Sequence, residues 1–152
     1  MRVPPREGTD GGGIVNARRY RLLLVEDNPA DVRLLTEALV EAAVNAEVTS
    51  SHDGEDALRL LKRTGCDLPD AVILDLNLPR MGGRELLAAI RHDVELSELP
   101  VVILSTSHQD GDLRACRALR AHAFVIKPVG FDEFVDVARR IGRICHEVVA
   151  DA

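Results

Sequence analysis

Long hydrophobic runs are missing from this chain. The apolar stretches, such as Leu22–Val25, Ala71–Leu74 and Leu86–Ile90, span only four or five residues, far short of the roughly 20 that a membrane helix needs. Residues 1–21 carry no apolar segment of the kind a secretory signal has, so neither export nor membrane insertion is expected. Cysteine is sparse: Cys66, Cys116 and Cys145 are odd in number and lack CxxC spacing. They read as small core residues in a reducing compartment, hence a cytoplasmic protein, and not as a disulfide or zinc framework. His52, His92, His108, His122 and His146 are scattered without ligand spacing, which again leaves no zinc site. Lysine is scarcest among the charged residues, because 17 of the 19 cations are Arg and only Lys62 and Lys127 remain. In a chain that uses Arg by default, a Lys marks a place where a planar fork would not serve.

What is present is a globular composition, 46% hydrophobic and 29% charged over 152 residues, enough for one ordinary domain. The net charge of −6 is uneven: residues 1–21 carry +3 and the remainder −9. An acidic body argues against direct DNA binding, which needs a basic face to neutralise phosphates. Residues 1–19 hold Pro4, Pro5, Gly8 and the run Gly11–Gly13 and are expected to form a flexible N-terminal tail. The glycine run matches no phosphate-binding loop. Residues 20–150 form the domain.

Within that domain short apolar runs alternate with helical periodicity. Leu22–Val25, Val72–Leu74, Val101–Leu104 and Phe124–Ile126 read as buried strands, with Glu47–Ser51 a weaker fifth. Between them Val32, Leu35, Leu39 and Ala42 recur at helical spacing, as do Leu58 with Leu61, Leu86 with Ile90, and Leu113, Cys116 and Leu119. Phe134, Ala138, Ile141, Cys145 and Val148 line one stripe of a final helix. Five strands alternating with five helices predict an α/β, doubly wound, five-stranded parallel sheet covered on both faces. In such sheets the site lies outside the carboxyl ends of the strands.

Four of the predicted strands deliver polar groups to that rim. Glu26 and Asp27 follow the first run, Asp75 follows Leu74, Ser105 and Thr106 follow Leu104, and Lys127 follows Ile126. A strand-end Asp is often only a helix cap. Three acids, a hydroxyl and a scarce Lys on one rim are harder to assign to chance. Crowded carboxylates repel unless a cation joins them, and hard oxygen ligands suit Mg²⁺, which keeps several waters. Asp75, alone after a central strand, suits a nucleophile toward phosphorus, with Glu26 and Asp27 placed to hold metal and Lys127 to offset charge.

These residues fall in four ordered motifs: LLLVEDNPAD, VILDLNLPRMGGRE, LPVVILSTS and FVIKP. The intervals are 30 residues from Asp75 to Ser105 and 22 from Ser105 to Lys127. The chain resembles the receiver domain of bacterial response regulators over Tyr20 to Val149. The resemblance implies a flavodoxin-like fold and a phosphoacceptor function. Asp75 would take a phosphoryl group from a phosphohistidine of a sensor histidine kinase. Glu26, Asp27, Asp75 and the backbone carbonyl of Asn77 would hold Mg²⁺, and Lys127 would contact the phosphate. Ser105 would reorient toward it with Phe124 following as the aromatic switch, and the Lys127–Pro128 bond would be cis. The wording LVEDNPAD, DLNLPRMGGRE and LSTS is similar to stand-alone receivers paired with phytochrome-type kinases. Thr106 stands where the family commonly has Ala or Gly, so slower exchange with small phosphodonors is expected. Phe124 stands where Tyr is common.

Three of the four aromatics, Phe124, Phe131 and Phe134, lie close together. They are either core packing or part of an interface on the fourth helix, fifth strand and fifth helix. Arg114, Arg117 and Arg120 on the former helix, with Asp132, Glu133 and Asp136 on the latter, could meet across the two-fold axis of a homodimer, or simply be solvated. Leu34 and Val40 fall off the core stripe of the first helix and offer a second candidate surface, for the kinase. The competing class is a Mg²⁺-dependent phosphatase of the haloacid dehalogenase type. That family places an acid/base Asp two residues after its nucleophile, where this chain has Asn77, so a switch without enzymatic turnover is favoured. A third reading, a receiver that works unphosphorylated, sits poorly with a complete set of phosphorylation residues.

Overall fold

The computed structural model describes residues 19–63, 65, 67–78, 81–106 and 110–151. The expected tail lies outside these residues except for Arg19, as does Cys66. Ten elements alternate along the chain: β1 (Tyr20–Val25), α1 (Pro29–Glu41), β2 (Ala46–Ser51), α2 (Gly54–Leu61), β3 (Ala71–Asp75), α3 (Gly83–His92), β4 (Val101–Ser105), α4 (Asp110–Ala118), β5 (Ala123–Ile126) and α5 (Phe131–Asp151). The five strands form one sheet in the order β2-β1-β3-β4-β5, and all four pairings are parallel. This is the doubly wound, flavodoxin-like arrangement. Among the described residues no helix is long and apolar enough to cross a membrane.

The continuous apolar strand runs follow from burial on both faces. Successive side chains on β1 point opposite ways. Leu22 and Leu24 enter the core under α1 and α5, whereas Leu23 and Val25 enter the one under α2, α3 and α4. Every residue of β3 and β4 is buried, while edge strand β2 alternates between half-buried and exposed along most of its length, which is why its sequence signal was weak. The α5 stripe falls as expected: Phe134, Ala138, Ile141 and Cys145 are buried and Val148 packs against the same core. At about 1.5–3 kcal/mol per large apolar side chain removed from water, this stripe is a principal anchor of the α1–α5 side. Cys116 is buried on the opposite face from Cys145.

Two expectations about surface residues are adjusted. Leu34 is not a free surface residue, because it packs partly buried against the α1–α5 core; only Val40 stays open, at 75% exposed. Phe134 belongs to the core, Phe131 is 38% exposed, and Phe124 packs half-buried against the α2–α3–α4 core. The aromatic cluster therefore divides between packing and surface.

A glycine fixes how closely α3 approaches the rim. A Cβ on Gly83 would lie 2.5 Å from the carbonyl oxygen of Asp75, closer than real carbons come, and its N–H donates to the carbonyl of Leu76 at 3.1 Å. With no side chain there, the first turn of α3 lies directly against the end of β3.

Candidate functional site at the carboxyl rim of the sheet

Strand register brings the candidate residues level. Val25 pairs with Leu74, so Glu26 and Asp75 follow side by side. Asp75 itself pairs with Leu104, and Ser105 pairs with Ile126, the residue before Lys127. The Lys127 N–H donates to the Ser105 carbonyl at 2.8 Å, which extends the last ladder past β5. Four separate stretches of sequence thus end on one rim.

The rim is an acidic cluster around one ammonium. Lys127 Nζ lies 2.8 Å from Glu26 Oε1, 2.8 Å from Asp31 Oδ2 and 3.3 Å from Asp75 Oδ2. Glu26 and Asp75 are buried, at 4% and 5% exposed. Glu26 Oε2 accepts the Asn28 N–H at 3.1 Å, and Asp75 Oδ1 accepts the Asn77 N–H at 3.0 Å. Each buried carboxylate is therefore oriented by one backbone donor and one cation. Asn28 caps α1, its side chain accepting from the Ala30 N–H, with Pro29 at the first helical position. That cap sets the helix start so that Asp31, on its first turn, faces Lys127.

Burial and charge shift two of these groups. Burial pushes the Glu26 carboxyl up to about 7; the hydrogen bond from Lys127 pulls it down, while the charge of Asp75 adds to the rise. For Lys127 burial works against the ammonium, but hydrogen bonds to Asp31 and Glu26 and the charges of Asp75 and Glu26 outweigh it, so its affinity for the proton exceeds that of an ordinary lysine.

Of the residues read from the sequence, Glu26, Asp27, Asp75 and Lys127 converge. Carboxylate oxygens of Glu26, Asp27 and Asp75 lie within 4.8 Å of one another, an all-oxygen donor set that suits a hard divalent cation. Exposed Asp27 gives this set an opening to water. Ser105 is wholly buried at the end of β4, and Phe124 stands on neighbouring β5 level with Ile103, two residues short of the rim. Thr106 is exposed at the rim.

One expectation is corrected. The Lys127–Pro128 bond is trans, as is every described peptide bond. Trans is favoured by about 0.5–1 kcal/mol at X–Pro, and Lys127 reaches all three of its carboxylates with the bond in that form. One participant was missed: Asp31 lies inside the LLLVEDNPAD motif and makes one of the two shortest contacts to Lys127. Its only signal in the sequence was its place one helical turn after Asp27.

The fold and rim define a receiver-type module. The response regulator receiver domain profile matches residues 22–139, and the chain belongs to that family. It is 36% identical over 130 residues to the probable methanogenesis regulatory protein FilR2 of Methanothrix harundinacea, covering 83% of this chain and 84% of the relative. It is 38% identical over 110 residues to response regulator Rcp1 of Synechocystis, covering 70% and 75%. The solved Mn²⁺-bound form of Rcp1 superposes with a TM-score of 0.73 at 34% identity, covering 80% of this chain and 91% of that one. The phosphorylated cyanobacterial phytochrome response regulator RcpA superposes with a TM-score of 0.75 at 36% identity, covering 82% and 91%.

Proposed function

We propose that this protein is a response regulator whose Asp75 accepts a phosphoryl group from a phosphohistidine of a sensor histidine kinase in the cytoplasm. An Asp75 carboxylate oxygen forms the new O–P bond as the P–N bond to the donor imidazole breaks. The imidazole leaves with the electron pair and takes up a proton. The single observation that carries this reading is the Lys127 ammonium held beside buried Asp75 on a rim of carboxylates, a site that concentrates charge where phosphorus would be transferred. Glu26, Asp27 and Asp75, with the Asn77 carbonyl, would hold Mg²⁺, which when bound supplies positive charge to phosphoryl oxygens. Lys127 contacts the phosphoryl group, the buried Ser105 hydroxyl turns toward it, and half-buried Phe124 moves with Ser105.

Asn77 supports a switch over a hydrolase. It stands two residues after Asp75, and an amide there cannot act as the acid/base that rapid turnover needs. Autodephosphorylation is slow on this reading. The name of RcpA, a phytochrome response regulator, motivates a phytochrome-type kinase as the partner, whereas those of Rcp1 and FilR2 carry no such indication.

The output surface is α4–β5–α5. Ile126, Val129 and Phe131 are exposed there, Val129 by 92%, beside exposed Arg114, Arg117 and Arg120 on one side and Asp132, Glu133 and Asp136 on the other. A homodimer through this face would bring the opposite charges together. Light scattering with and without a phosphate mimic tests it, and a monomer in both states excludes it.

Incubation with acetyl phosphate and Mg²⁺, read by intact mass, tests the central reading. Wild type gains one phosphoryl group and Asp75→Asn gains none. An unlabelled wild type, with several kinases and donors, would indicate a receiver that works unphosphorylated.

A further inference from the structure

Lys127 has three N–H donors, and three carboxylates already take them: Glu26 at 2.8 Å, Asp31 at 2.8 Å and Asp75 at 3.3 Å. The longest of the three contacts is the one to the residue that would carry phosphate. Asp31 differs from the other two partners. It comes from α1 and not from a strand end, lies outside the Glu26–Asp27–Asp75 donor set, and is the most exposed of the three, its side chain 22% exposed against 3% for Glu26 and 7% for Asp75. An acid in the first turn of a helix favours the helix N-terminus by itself. That role accounts for the residue type but requires no contact with an ammonium.

We propose that Asp31 is a positioning and specificity-determining residue that draws Lys127 away from Asp75 and adds a fourth negative charge to the rim, so that the site discriminates against small anionic phosphodonors. The inference rests on the phosphoacceptor reading above and concerns how readily the site is filled. A small donor such as acetyl phosphate depends on the charge of the rim for its affinity. A protein donor derives its affinity from docking area and bears the same charge at little loss. Removing the Asp31 charge releases a Lys127 donor toward the incoming phosphoryl oxygen and lowers the repulsion, while Glu26 still anchors the ammonium. The group transfer is unchanged: the Asp75 O–P bond forms, the donor P–O bond breaks, and acetate leaves with the electron pair.

The test compares wild type, Asp31→Asn and Asp31→Glu. At saturating Mg²⁺, Asp31→Asn lowers the KM for acetyl phosphate roughly three- to tenfold, the scale of one unit charge at a partly solvated site, and changes the maximal labelling rate less than about twofold. Its KM falls less steeply with added salt than that of wild type, because less repulsion remains to be screened. Independently of labelling, Mn²⁺ affinity measured by electron paramagnetic resonance without donor weakens by a similar factor. Asp31→Glu restores both readings.

An unchanged KM together with unchanged Mn²⁺ affinity overturns the proposal. So does a variant whose only change is a lower melting temperature, which would make Asp31 a helix-start residue. Wild type that takes no phosphoryl group at all would defeat the phosphoacceptor reading itself, a result separate from the failure of Asp31→Asn to differ from a labelled wild type.

Discussion

Two half-buried cations occupy opposite ends of the sheet, and their partners differ in kind. At the amino end Arg91, in the last turn of α3, donates to four backbone carbonyls: Leu99 at 2.7 Å, Leu119 and Arg120 at 2.9 Å, and Ser97 at 3.3 Å. At the carboxyl end Lys127 sits among three carboxylates. Burial lowers the proton affinity of the Arg91 guanidinium, with the Arg120 charge adding to the effect and Glu98 opposing it. The same penalty on Lys127 is outweighed by its acids. Neutral carbonyls suit a fixed, planar, permanently charged fork that joins loops. Carboxylates suit a compact ammonium whose donors can be reassigned to another anion. The first arrangement holds the fold together, and the second can be rearranged by chemistry.

Exchanging the cation types breaks this contrast most sharply. Lys127→Arg keeps the charge but replaces the compact head with a fork, and labelling by acetyl phosphate is expected to fall at least about a hundredfold with the fold intact by circular dichroism. Unreduced labelling would mean that charge alone suffices.

Arg91→Ala is the converse. Four carbonyls lose their donor, and at about 0.5–1.5 kcal/mol net per hydrogen bond the expected loss is roughly 2–6 kcal/mol by urea denaturation. The labelling rate of the folded protein stays within about twofold. A large rate loss without a stability loss would show that the two ends are not separable.

Acidity sharpens the comparison further. Glu26 binds its proton more tightly when folded, up to about 7 against 4.5. Its contribution to the stability of the metal-free protein is therefore complete below about pH 4.5 and is lost as pH rises through about 7. That contribution is on the order of 1–3 kcal/mol, visible as a melting temperature that declines over this window. Glu26→Gln removes this part of the decline, and Mg²⁺ offsets it at the alkaline end. A profile identical in wild type and Glu26→Gln would contradict the assignment.

The smallest effect belongs to the margin of the carboxyl end. Thr106→Ala is expected to raise labelling by acetyl phosphate about two- to threefold, through less crowding and not through charge, with the salt dependence unchanged.

The strands and helices were readable because their signals are local. Periodicity marked α5 from Phe134 to Val148, and apolar runs marked β3 and β4, since a sheet buried on both faces leaves no polar alternation. The scarcity of lysine singled out Lys127, which lies among three carboxylates. It did not make Lys62 special, which is an exposed partner of Asp93 at 3.4 Å. Arg91 was unreadable: in a chain with 17 Arg, nothing local separates a guanidinium that binds four carbonyls from one in water. Asp31 was unreadable for a related reason, because its partner lies 96 residues away along the chain and a first-turn acid already has a sufficient local explanation.

The order of residues by itself determined the alternation of elements, the layers and the set of groups at the carboxyl rim, because hydrophobic period and strand-end position act over a few residues at a time. Which of those groups touch, which acid stands closest to the lysine, and the trans state of the bond after it were decided only when strand register and the start of α1 fixed positions to within an ångström. Charge interactions vary over that distance, and no local pattern encodes it.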